Sequence, residues 1–173
     1  RVAPGLFWIA VLLASLLAIG RSFAVEQAHG ARDGLRLAGI DPASVFLGKA
    51  IAIVVQLLVL EVVLGIAVVA LYGVHLHGGL VLVAAGVAAT LGLASTGTLY
   101  GVLAAGLRAR ETLLPLLLLP VLAPVMLGAT RAFEDALDGA TGDAWPWVAL
   151  LAVFALLYTG VGMLAFGPLW EDA

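Results

Sequence analysis

The sequence contains no cysteine, and only 11% of its 173 residues are charged. Without cysteine, disulfide bridges, thiolate metal sites and thiol catalysis are excluded. The formal net charge is −3, and the eight basic residues form no run that could follow a phosphate backbone. These absences argue against a nucleic-acid-binding protein, and we expect no metal site.

Motifs of catalysis and of ATP hydrolysis are absent as well. The 173 residues contain no P-loop, no G-x-S-x-G nucleophile motif and no H-E-x-x-H zinc motif. We therefore expect no enzymatic activity from this chain. If the chain takes part in active transport, a separate subunit must hydrolyse the ATP.

Apolar residues are abundant, at 64% of the chain, whereas a soluble domain has about 45–50%. Five stretches are close to the length of about 20 residues that a membrane-spanning helix needs. They are apolar on every side, which disfavours the alternating strands of a membrane barrel. We predict an all-α, polytopic transmembrane helical bundle that forms one domain. The predicted spans are 2–20, 50–72, 79–107, 112–130 and 145–166.

The basic residues predict the orientation of the bundle. Four of them lie in the connection 21–49 and two lie in 107–111, whereas 73–78 has none and 131–144 has one among four acidic residues. Because basic loops stay in the cytoplasm, we expect 21–49, 107–111 and the C-terminus to be cytoplasmic.

The connection 21–49 is too long for a turn and too short for a domain. Residues 26–37 are predicted to form a short helix, which Gly39 and the pair Asp41–Pro42 would end. Such a helix could lie on the membrane surface or dock a soluble partner. A plain solvated loop is the alternative.

Two polar residues interrupt the second predicted span. Glu61 lies near its middle, where a charge costs about 2.5–3.5 kcal/mol on insertion scales. We expect Glu61 to face the bundle interior or water, or to be protonated. It is either a functional group or one half of an interhelical hydrogen bond. Gln56 precedes it by five residues and is not on quite the same helix face.

Two histidines flank Leu76 in the short connection 73–78. His75 and His77 could ligate a metal or a haem iron from an extended backbone. Solvated loop histidines are the favoured interpretation, because two ligands make a weak site.

The fourth predicted span contains three prolines. Pro115, Pro120 and Pro124 each remove a backbone hydrogen bond. The result is either a bent or broken helix that moves in a transport cycle or, as the favoured interpretation, a static kink.

Three stretches of the sequence resemble the haem exporter protein B (CcmB) family. The first, APGLFWIAVLLASLLAIGRSFAVEQAHGARDGLRLAG, is similar to a tryptophan-containing helix and its cytoplasmic connector. The second, DPASVFLGKAIAIVVQ, contains a lysine that opens the next span. The third, RARETLLPLLLLPVLAPVMLGATRAF, resembles a proline-rich span and is the most specific.

The resemblance implies an ABC-2-type permease fold with six spans, so we expect a sixth, N-terminal helix to be missing from this chain. It also implies a role in haem export for c-type cytochrome biogenesis at the inner membrane. The implied partners are a CcmA-like ATPase, CcmC-like and CcmD-like membrane proteins, and a second copy of the chain in a homodimer or larger complex. Haem would be handled, and no cofactor would be bound tightly.

The resemblance also implies that part of 21–49 faces the ATPase. We assign this ATPase-coupling role to five residues: Phe23, Glu26, Gly30, Arg32 and Leu35. Two alternatives stay open at this point. One is an ABC-2-type permease for a lipid or a drug, and the other is a membrane scaffold that transports nothing.

Overall fold

The computed structural model describes residues 2–29, 34–35, 37–73, 78–105 and 110–172. These residues form five long helices and no strand, and each helix is long and apolar enough to cross a membrane. The predicted all-α polytopic bundle is therefore confirmed. The helices are α1 (Ala3–His29), α2 (Pro42–Tyr72), α3 (Gly79–Ala105), α4 (Arg110–Leu137) and α5 (Thr141–Asp172).

Several helices extend beyond the apolar stretches that predicted them. α1 does not end at Gly20 but continues to His29, so the prediction that a new helix begins at Glu26 is wrong. No glycine or proline lies between 21 and 29, and a single internal glycine costs only about 1 kcal/mol relative to alanine. α4 likewise continues past residue 130 to Leu137. Hydropathy marks the part of a helix in hydrocarbon, whereas backbone hydrogen bonding continues into the polar interface.

The start of α2 is fixed by local chemistry. Asp41 occupies the N-cap, where its Oδ2 accepts a hydrogen bond of 3.3 Å from the Ser44 backbone N–H. Pro42 follows at the first helical position, where its missing N–H leaves no bond unmade. The helix ends at Gly73, whose φ of 59° is the left-handed conformation that glycine adopts without strain.

We call the end of the bundle where α1 and α3 end and α2 and α4 begin the connector end. Here the Phe23 ring of α1 packs on Gly101 near the end of α3, and the ammonium group of Lys49 in α2 lies 4.1 Å from the centre of that ring. Phe46 of α2 packs beside Phe166 near the end of α5, with ring centroids 5.5 Å apart.

We call the opposite end, where α2 and α4 end and α3 and α5 begin, the turn end. The rings of Trp8 in α1 and Phe133 in α4 meet there at 5.1 Å. Gly78, just before α3, lies against Thr141 at the start of α5. All five helices therefore alternate in direction between the two ends, as the predicted topology requires.

α3 is the most buried helix and contacts the other four. Its glycines allow large side chains of neighbouring helices to approach its backbone. Ile19 and Phe23 of α1 occupy the space where side chains at Gly97 and Gly101 would lie, and Phe154 of α5 does the same at Gly92. α2 is the least buried helix, so one of its faces lies on the outer surface of the bundle.

Candidate functional sites: the intramembrane carboxyl and the connector end

Glu61 belongs to the buried face of α2. It follows Ile53 and Leu57 at four-residue spacing, and all three side chains are buried. Only 9% of Glu61 is exposed. The sequence analysis expects Glu61 to face the bundle interior or water, or to be protonated, and in the structure its side chain is mostly buried against α3.

The carboxyl group of Glu61 has a partner on the neighbouring helix. The hydroxyl of Thr90 in α3 donates a hydrogen bond to its Oε1. The other oxygen, Oε2, lies next to Gly86, where an added methyl group would be 3.2 Å away. Thr90 and Gly86 lie one turn apart on α3, so together they form the surface on which the carboxyl rests.

A cavity of about 340 Å³ opens beside this carboxyl. Its wall comes from α1, α2, α3 and α4, and apart from Glu61 it is made of apolar side chains and glycines. Gly65 and Gly86 leave room for it, because neither carries a side chain. The residues of the wall that matter below are Phe7, Glu61, Gly65, Leu82, Gly86 and Phe133.

Three aromatic rings support one side of the cavity. The centroid of Phe7 lies 5.4 Å from that of Phe133 and 5.5 Å from that of Trp8. Trp8 is fully buried behind them. Edge-to-face and tilted contacts of this kind hold rings in fixed positions, so the aromatic wall is preorganised.

Gln56 is not part of this site. Its side chain is exposed on the outer surface of α2, close to the middle of the helix. The sequence analysis has Gln56 not on quite the same helix face as Glu61, and in the structure Gln56 is exposed whereas Glu61 is buried. An amide at that depth points toward lipid or toward another membrane protein.

The five residues assigned to ATPase coupling have different positions. Phe23 is only 4% exposed, and Leu35 packs against the bundle core. Glu26 belongs to the last turns of α1. Gly30 and Arg32 lie outside the described residues. Phe23 and Leu35 therefore anchor this segment to the bundle, and the coupling role itself stays a prediction.

Other apolar side chains near the connector end are exposed. Leu37 is 89% exposed, and Val25 and Ile40 are exposed as well. All three lie close to the end of α1 or the start of α2, so they add to the exposed apolar area of the connector end.

The prolines do not break α4. The helix is continuous through Pro115, Pro120 and Pro124. Pro115 is half-buried, whereas Pro120 and Pro124 lie one turn apart on the exposed surface. Leu118 and Leu122 are fully buried on the opposite side, so the missing N–H groups do not interrupt the packed face.

His75 and His77 lie outside the described residues, so their proposed ligand role stays untested. Within the parts of the chain that the structure describes, no three acidic or histidine side chains come together in a way that could hold a metal ion.

Two contacts of the carboxyl site could not be found from the sequence. Thr90 is one of several hydroxyl residues in α3, and only the register of α2 against α3 selects it as the partner of Glu61. Phe7 and Phe133 are more than a hundred residues apart in the chain. The four-residue spacing of Ile53, Leu57 and Glu61, by contrast, was a usable sequence signal.

Five apolar helices around a buried carboxyl define a multi-pass α-helical membrane protein. Comparison with known proteins gives the family: the family described as "CcmB protein" matches residues 1–168. The chain belongs to this family. It is 30% identical over 170 residues to Heme exporter protein B of Paracoccus denitrificans (strain Pd 1222), a match that covers 96% of this chain and 74% of that protein. No solved structure matches.

Proposed function

We propose that this chain is the membrane-embedded permease subunit of an ABC transporter that exports or delivers haem for c-type cytochrome biogenesis. The main support is its membership of the CcmB family over residues 1–168. Its similarity to a protein named Heme exporter protein B adds the substrate class. The five membrane-crossing helices supply the architecture that such a subunit needs.

Within this proposal, a CcmA-like subunit hydrolyses ATP and docks at the connector end. The exposed Leu37 and Ile40 beside the anchored Leu35 give a soluble partner an apolar contact surface. Among the described basic residues, Arg21, Lys49 and Arg110 belong to the parts of α1, α2 and α4 nearest this end of the bundle, which supports a cytoplasmic location for it.

Further membrane partners are part of the proposal. α2 is the least buried helix, and its exposed face carries Gln56. Amide side chains in membranes form hydrogen bonds across helix interfaces. A second copy of the chain, or a CcmC-like or CcmD-like protein, would satisfy this amide.

Complementation of a bacterium whose own CcmB gene is deleted tests the function. We expect expression of the chain together with its ATPase to restore covalently haem-bound cytochrome c, measured by haem staining of membrane proteins after electrophoresis. An ATPase subunit with an inactive P-loop serves as the control and should restore none. If the chain reaches the membrane with an active ATPase and haem staining stays at the deletion level, the proposed substrate is wrong.

A further inference from the structure

The cavity beside Glu61 opens on the outer surface of α2 and α3, and its wall extends to Gly79 at the start of α3. Its rim includes Val62 of α2 and Val83 and Val87 of α3, and all three side chains are exposed on the apolar surface of the bundle. Glu61 lies 11 residues before the end of α2 at Tyr72, which places it about 16 Å along the helix from that end. A molecule dissolved in the bilayer could therefore enter from the side, between α2 and α3.

The carboxyl group of Glu61 determines which functional group such a molecule needs. Thr90 satisfies Oε1, whereas Oε2 lies next to Gly86 in the cavity wall. A plain acyl chain would leave a polar oxygen without a partner, which is costly away from water. An anionic phosphate or carboxylate would be repelled by a charged Glu61. When the carboxyl is ionised its oxygens only accept, so a ligand that donates a hydrogen bond fits Oε2.

A metal ion does not explain the cavity. Glu61 is the one carboxylate in its wall, and the described part of the chain has no cluster of three metal-ligating acidic or histidine side chains. Hard cations take several oxygen ligands, with calcium taking six to eight. An organic donor needs only one acceptor, so it matches the chemistry of this site better.

The volume of the cavity and its aromatic wall restrict the class of ligand further. The volume of 340 Å³ lies in the range of about 300–1,000 Å³ that small-molecule sites occupy. Phe7 and Phe133 both line the cavity, with centroids 5.4 Å apart. Aromatic side chains favour stacked or edge-to-face contact with another aromatic ring.

We propose that this cavity binds a lipid-soluble phenol or hydroquinone, whose hydroxyl group donates a hydrogen bond to Glu61 while its ring lies against Phe7 and Phe133. The alkyl tail of such a molecule leaves through the rim at Val62 and Val83 into the bilayer. In this binding site the Glu61 carboxyl accepts the hydrogen bond, the glycines leave space for the ligand, and the aromatic wall contacts its ring.

Photo-labelling of the full chain in phosphatidylcholine nanodiscs tests this site. The probe is an alkylphenol with a diazirine on its alkyl chain, and the labelled peptides are mapped by mass spectrometry. We expect saturable labelling near Val62 and Val83, competed by unlabelled decylhydroquinone. The methyl ether of the same probe cannot donate a hydrogen bond, so it should label these peptides about fivefold less.

Two glycine variants on the same helix provide the matched comparison. At both Gly65 and Gly48 an added Cβ atom meets no other atom within 4 Å, but only Gly65 lines the cavity. Gly65→Leu should therefore abolish the labelling by filling the cavity, whereas Gly48→Leu should leave it unchanged. Glu61→Leu should lower phenol labelling to the level of the methyl ether.

Two results would overturn the proposal. Equal labelling by the phenol and its methyl ether would show that no donor is recognised. Equal labelling of the Gly65→Leu and Gly48→Leu variants would show that the probe binds elsewhere on the surface. Both glycine variants keep Glu61, so the comparison between them holds even if Glu61→Leu does not fold.

Discussion

The hydroxyl groups of α3 lie in different environments although they share one helix. Thr90 donates to Glu61, and Ser95 forms a hydrogen bond of 2.8 Å with Thr159 of α5. Thr96 is also buried, but within the described residues its Oγ1 has no hydrogen-bond partner. The same chemical group therefore stabilises the bundle at one position and contributes only volume at another.

A pair of threonine substitutions tests this difference. We expect Thr90→Val to lower the free energy of unfolding by about 1 kcal/mol, because the carboxyl of Glu61 loses its donor. Thr96→Val removes a hydroxyl that bonds to nothing, so stability should stay the same or rise. Equilibrium unfolding in mixed detergent micelles measures both, and equal losses would contradict the role assigned to Thr90.

At the scale of helices, α1 and the connector are joined by anchored side chains. The Phe23 ring lies between Gly101 and Lys49, so it ties α1 to α2 and α3 just before the helix leaves the bundle. Glu26 follows three residues later on the same helix. A partner that docks on this part of the chain therefore touches a segment that is held firmly to the membrane domain.

A charge exchange tests whether this segment docks the ATPase. We expect Glu26→Lys combined with Arg32→Glu to weaken co-purification with the CcmA-like subunit, because charge complementarity across the contact is reversed. The matched control is Arg131→Glu combined with Glu134→Lys at the turn end, where these two side chains form an ion pair of 3.4 Å. Co-purification that is equally strong for both double variants would contradict docking at the connector.

Helix boundaries were predicted only in part. Asp41 and Pro42 start α2 through an N-cap and a fixed φ angle, whereas the sequence analysis assigned this pair to the end of a preceding short helix and began the span at residue 50. The end of α1 at His29 was missed because nothing between 21 and 29 opposes a helix. Which face of α3 packs against α1 could not be predicted either, because a helix that is apolar all round has no polar face to mark its orientation.

At the scale of the whole molecule, the helices alternate in direction. As a result, the connections richest in basic residues join helices at the same end of the bundle. The helix ends that flank the connections within 21–49 and 107–111 lie there, whereas the turn end carries Arg131 among acidic residues. The number of spans and the order of the basic loops were predictable, because both follow from hydropathy and charge along the chain. The cavity was not, because its wall combines residues from four helices.

Single-cysteine variants test the orientation without a background signal, since the chain has no native cysteine. We expect Ala28→Cys and Ala109→Cys to react only with reagents that reach the cytoplasm. Ala140→Cys, in the turn between α4 and α5, should react with an impermeant maleimide added outside intact cells. Labelling of Ala28→Cys and Ala109→Cys from opposite sides would contradict the proposed topology.

The unbroken length of α1 has a mechanical consequence. Its 27 residues make a rod about 40 Å long, with Phe7 and Trp8 near one tip and the connector at the other. A shift of the connector by a docked subunit would move the far tip too, because a hydrogen-bonded helix resists compression along its axis. Phe7 is part of the cavity wall beside Glu61. A subunit that docks at the connector end would therefore change the width of this cavity, which lies closer to the turn end.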